Sequence, residues 1–167
     1  MSYVSYEYYK SLYGDGSISE TDFNRISWDA EREIDKATTG IDNIRKLQVA
    51  FPVCEYEAET VRRCVCNLIQ TMYQIDLASK SMVDGIGYEK TEGGMRGKVI
   101  SSVSAGSESI TYGNGLTMQS TIGKAVSDVK ERGRIYREIV SDALSGIKDA
   151  NGVNLLYMGK YPCAYSL

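Results

Sequence analysis

Histidine is absent from all 167 residues, which removes the most frequent general base, pH switch and metal ligand together. No stretch approaches the roughly 18 consecutive apolar residues that a membrane-spanning helix requires. Met1 to Lys10 shows no apolar run behind a basic region, so no secretory leader is expected. A basic surplus is lacking as well. With 19 basic against 22 acidic groups the net charge is −3, which argues against broad binding to duplex DNA, whose phosphates call for excess cation. What is present is an ordinary soluble, globular balance, 43% hydrophobic and 25% charged. A chain of this length can close one core without disulfides.

The four cysteines (Cys54, Cys64, Cys66 and Cys163) are read as free thiols. On a helix Cys64 and Cys66 point about 200° apart, so they cannot share one tetrahedral metal, and no histidine completes a zinc set. No metal and no cofactor are expected. The unusual count is thirteen tyrosines against two phenylalanines. Tyr3, Tyr6, Tyr8, Tyr9 and Tyr13 crowd the start. Tyrosine joins large contact area to a polar tip and is enriched at interfaces, so this cluster is read as interface or core packing with equal weight.

The pattern along the chain predicts a mainly α fold. It is a small bundle of three main helices with an inserted β-hairpin and an extended C-terminal tail, in one domain over residues 1–167. After the turn Gly14-Asp15-Gly16, Ser19 to Asp22 reads as a capping box. Phe23, Ile26, Ala30, Ile34 and Ala37 then place one helix at about 19–39, with Trp28 off the apolar stripe. A second helix, about 53–81, buries Val61, Cys64, Val65, Leu68, Met72 and Ile75. Alternation at Val99, Ser101 and Val103, and again over Ser107–Tyr112, predicts the hairpin at about 98–112. A third helix, about 118–148, carries a four-three seam from Ile122 through Gly133 to Ile147, with close approach of a neighbour expected at Gly133. Asn151-Gly152 turns into a strand-like tail at about 152–167.

No catalytic constellation is visible. The stretch Gly93 to Lys98 lacks the first glycine and the hydroxyl residue of a P-loop and precedes a hairpin, so it is read as a loop. Asp29, Glu31, Glu33 and Asp35 alternate with Arg32 and Lys36 as a solvated, salt-bridged face. Without histidine a conventional serine triad cannot form. Lys130, Arg134 and Arg137 line one exposed side of the third helix. They leave open the alternative of a small helical nucleic-acid-binding or regulatory protein.

Three stretches, in order, resemble the head–tail connector proteins (adaptor or head-completion proteins) of tailed phages and prophages of Gram-positive bacteria. They are Tyr8-Tyr9-Lys10 through Thr38, the serine-rich hairpin from Ile100 to Tyr112, and Leu155-Leu156-Tyr157-Met158-Gly159. Relatives often carry arginine where Met158 stands. The resemblance implies a structural virion protein without catalysis, assembled in the host cytoplasm and residing in the virion neck. It implies a dodecameric ring on the portal protein, extending the DNA channel to the next neck protein, a stopper or tail terminator. DNA would be passing cargo only, and no membrane is involved. On that footing Leu155, Leu156, Tyr157 and Met158 would face the portal or a neighbouring subunit, and Ser104, Ala105, Gly106 and Ser107 the next ring. Trp28 with the third helix would serve core and subunit packing, the indole covering a helix seam or facing a partner subunit.

Overall fold

The computed structural model describes residues 2–84, 86–91, 94–104, 109–113 and 121–162, with side chains omitted for 81–120, 123 and 127. The chain is mainly helical. It divides into two compact units, Met1–Tyr73 with Gly133–Leu167, and Gln74–Arg132.

In the first unit, α1 spans Tyr6–Tyr13, α2 Glu20–Thr38 and the short α3 Lys46–Val49. Helix α4, Glu55–Asp84, starts there and runs on into the second unit. Capping serines set the first two helices: Ser5 accepts from Tyr8 N and Ser19 from Asp22 N, each satisfying an amide that the helix start leaves orphaned. Gly14, at φ 85°, ends α1 in backbone space that glycine enters freely. The core joins Phe23, Ile26, Ala30 and Ile34 of α2 to Val61, Cys64, Val65, Leu68 and Ile69 of α4, with Val140, Leu144 and Leu155 from the C-terminal part. Cys66 is also fully buried, so α4 is covered on two sides.

The start of the chain, to which the sequence reading assigns no element, is helical from Tyr6 to Tyr13. Two expectations are corrected here. The third helix is two helices, α5 at Thr121–Ser127 and α6 at Val129–Leu144. Asp128 makes the break: its Oδ1 accepts from Lys130 N at 2.7 Å, while Arg132 Nε donates back to Ala125 O at 3.0 Å. Two side chains thus serve the break, Asp128 at the start of α6 and Arg132 at a carbonyl near the end of α5. In α6 the buried positions are Ile135, Val140 and Leu144, and Val129 is 74% exposed. Among the described residues nothing beyond its own helix backbone and chain neighbours lies within 4 Å of where a Gly133 side chain would begin. Finally, the described part of the tail, up to Pro162, forms no strand. Asn154 forms only an isolated bridge with Lys148, and a turn closed by Asp149 and Gly152 precedes it.

The second unit holds the end of α4, α5 and three strands: β1 Ile86–Thr91, β2 Gly94–Ser104 and β3 Ser109–Gly113, antiparallel in that order. A lone two-stranded hairpin over 98–112 is therefore not what stands there. Strand β2 begins at Gly94 and pairs on both sides, with a register irregularity between Ile100 and Ser102. Lys98 lies in that strand opposite Gly87, not in the strand-to-helix turn that a phosphate loop needs.

Candidate functional site

The tyrosine-rich start divides between core and surface. Tyr9 is 0% exposed, tilted against Phe23 at 5.4 Å, and its hydroxyl donates to Gln70. It is committed to the protein's own core rather than to an interface. Tyr6 donates to Ile18 O at 2.9 Å and packs on Phe23. Tyr3 stacks on Phe51 at 5.8 Å and donates to Asp35 Oδ1 at 2.6 Å. Burial and the Asp35 carboxylate together push its pKa far up. Burial, then the neighbouring Glu59, pushes Tyr8 up to about 12. Tyr13 alone reaches the surface substantially, stacked on Tyr9 at 4.9 Å.

Along α2 runs an open groove of about 960 Å³ whose lining includes Trp28, Glu31, Arg32, Asp35, Arg45 and Gln48. Trp28 is 64% exposed, with the Arg32 guanidinium 4.9 Å from its ring. Arg32 also pairs with Asp29 and Lys36 with Glu33, as a solvated face requires. Glu31 and Asp35 depart from that picture. Glu31 accepts from Ser2 Oγ and Tyr3 N, while Asp35, only 8% exposed, accepts from Tyr3 and from Gln48 Nε2 at 2.6 Å. Both carboxylates staple the N-terminal arm to α2.

The C-terminal stretch also splits. Leu155 is fully buried and Leu156 packs against the core, so Leu155 is unavailable to a neighbour in this state. Tyr157 and Met158 remain about half exposed, at 50% and 52%. Ile41, whose amide donates to Met158 O at 3.1 Å, is exposed beside them. Ser104 ends β2 opposite Ser109, whereas Ala105, Gly106 and Ser107 lie outside the described residues. The structure thus brings Tyr3, Tyr6, Tyr8 and Tyr9 together as packing around α1 and leaves Trp28, Tyr157 and Met158 facing water.

Several polar residues of consequence were not singled out from sequence. Lys46 is 0% exposed, and its Nζ donates to Leu155 O at 3.0 Å and to Tyr157 O. Burial lowers its pKa, against the pull of Asp149 and Asp42. Asp42 accepts from Tyr161 N at 2.6 Å, a bond that holds its own carboxyl below the usual range. Asp149, 4% exposed, accepts from the Tyr161 hydroxyl and from the amides of Asn151 and Val153.

Of Lys130, Arg134 and Arg137, the three basic residues singled out on α6, Arg134 pairs with Glu138 at 2.6 Å and Arg137 donates to Gly133 O at 3.1 Å, so two of these three cations are engaged within their own helix. Among the described residues no group of three or more Cys, Asp or Glu side chains could hold a metal ion, and no helix is long and apolar enough to cross a membrane. Comparison with protein families, with curated proteins and with solved structures finds no match.

Proposed function

We propose that this chain is a structural neck protein of a tailed phage, a ring-forming adaptor that joins the portal to the next neck component and extends the DNA channel. One observation carries the reading. The first unit closes a core of its own and still leaves Trp28, Ile41, Val49, Val53 and Tyr56 between 64% and 82% exposed. In this reading those side chains are surface that other subunits cover, and a closed ring covers each repeated patch. The resemblance of the start, the serine-rich stretch and the Leu155–Gly159 segment to connector proteins supplies the kind of ring.

In this reading the chain is a mainly helical subunit whose strands β2 and β3, around Ser104 and Ser109, meet the next ring. Tyr157 and Met158 meet the portal or a neighbour, and Trp28 lies at a subunit seam. The mild acidity suits a channel through which DNA slides, since fixed cations would retain phosphates. The nucleic-acid-binding alternative is weakened by the internal bonds of Arg134 and Arg137.

The test is co-sedimentation of the purified protein with the portal encoded near it, followed by imaging of the heavy fraction. A ring stacked on the portal is expected. A chain that ignores the portal and binds DNA with a steep salt dependence would overturn the proposal.

A further inference from the structure

Residues 147–161 fold back over residues 40–57 of the same unit, and the bonds that tie the two stretches are polar. Lys148 N donates to Glu57 Oε1 and Ala150 N to Ala50 O, each at 3.2 Å. Farther along, Ile41 N reaches Met158 O and Tyr161 N reaches Asp42 Oδ2. Gly40 sits so close to this segment that an added Cβ would lie 2.5 Å from Gly159 O. In the middle stands Lys46, out of contact with water, donating to the carbonyls of Leu155 and Tyr157.

A buried lysine gives up several kcal/mol of hydration, which good hydrogen bonds and opposite charge only offset. Its direct acceptors here are two neutral carbonyls. Asp149 and Asp42 are spoken for by Tyr161 and by backbone amides. Those two bonds hold the segment closed over Lys46; without them the carbonyls of Leu155 and Tyr157 stay unpaired until the segment lifts and water reaches them. A natural hinge adjoins it at Gly152, with φ of 76°. The ring reading is not needed for this argument.

We propose that residues 155–161 are a strap that opens and closes as one unit, with Lys46 as its latch. Closed, the strap keeps Leu155 and Tyr161 at 0% and 1% exposure. Open, it offers those two side chains and a hydrated lysine to a partner, a surface that the closed state withholds. The device is conformational: a local opening below the free energy of global unfolding.

Amide hydrogen exchange on the whole protein in dilute urea tests this. The amides of Ile41, Leu155 and Tyr161 are expected to share one opening, about tenfold or more faster than core amides of α2 and α4. Lys46→Met removes both donors from the strap carbonyls and is expected to speed all three by about another tenfold, with α2 and α4 unchanged. Tyr161→Phe, which removes the hydroxyl shared by Asp149 and Asn151, is expected to move the same three amides together. Should Lys46→Met fail to fold, the unmodified protein and Tyr161→Phe decide the matter. Strap amides that exchange only with global unfolding, that each keep a separate rate, or that slow in Lys46→Met overturn the proposal.

Discussion

The Tyr3 hydroxyl donates to Asp35 Oδ1 at 2.6 Å across a separation of 32 residues. That bond fastens the N-terminal arm to the last turn of α2, beside the Glu31 carboxylate that holds Ser2 and Tyr3 N. An arm tied through two carboxylates and one stacked ring is set by hydrogen bonds more than by buried area.

Tyr3→Phe therefore tests the arm with almost no change in volume. It leaves Asp35 with Gln48 as its remaining side-chain donor. The expected loss is about 1.5–3 kcal/mol, the range for hydrogen bonds to charged groups, taken at the low end because the site is only partly buried. Urea unfolding of Tyr3→Phe, Asp35→Asn and the double variant forms a cycle. A coupling energy near zero would show that the bond contributes nothing to stability.

High pH is expected to unfold this protein from within. Burial pushes the thiols of Cys64 and Cys66 up to about 12, from 9.0, and Tyr8 up to about 12, from 10.0. Each folded pKa stands above its unfolded value, so stability is intact below about pH 9 and drains away as pH rises toward 12. Lys46 works in the opposite sense, because burial lowers its pKa and the cost of holding it charged falls as pH rises toward 10.5. Tyr3, Tyr9 and Tyr13, also raised by burial, act in the same sense as the thiols and Tyr8, and together these groups outweigh Lys46. Unfolding free energy measured from pH 7 to 11 is expected to fall, with a shallower slope in Cys64→Ala/Cys66→Ala; a flat profile would contradict the burial of these groups.

The parts legible in the sequence were those where one residue property settles the outcome. Ser19 with its acids gave the start of α2, and apolar spacing gave the buried faces of α2 and α4. Helix α1 was missed because its stripe is made of tyrosines, which look amphiphilic wherever they stand; only Ser5 three residues before Tyr8 hints at a cap. Asp35 reads as a solvent-facing charge and Lys46 draws no reading at all, since nothing local shows that Tyr3 or Tyr157 will close over them. Gly133 kept the phase of an apolar seam, and phase alone does not say whether a neighbour exists.

Trp28 is the sole tryptophan, which makes the proposed seam directly observable. In the free protein, with the ring 64% exposed, its emission is expected to be red-shifted and readily quenched by acrylamide. Trp28→Ser is expected to change unfolding free energy by no more than about 0.5 kcal/mol, as surface substitutions do, while weakening ring formation. A blue shift on assembly with the portal would place the indole in a covered seam. Unchanged emission in an assembled ring would remove Trp28 from the interface.

Neighbouring residues of the C-terminal stretch are expected to give opposite phenotypes. Leu155 is fully buried in the core, so Leu155→Ala removes packed methyls and is expected to cost about 2–5 kcal/mol. Met158 is 52% exposed and contributes its carbonyl, not its side chain, to the bond with Ile41. Met158→Ser is therefore expected to leave unfolding free energy within about 0.5 kcal/mol and to reduce co-sedimentation with the portal. Met158→Arg separates charge from shape, because the connector proteins that the sequence resembles often carry arginine there. If it binds the portal at least as well as the parent while Met158→Ser binds worse, this position faces the partner. If all three chains co-sediment equally, Met158 lies outside the contact and the portal is met elsewhere.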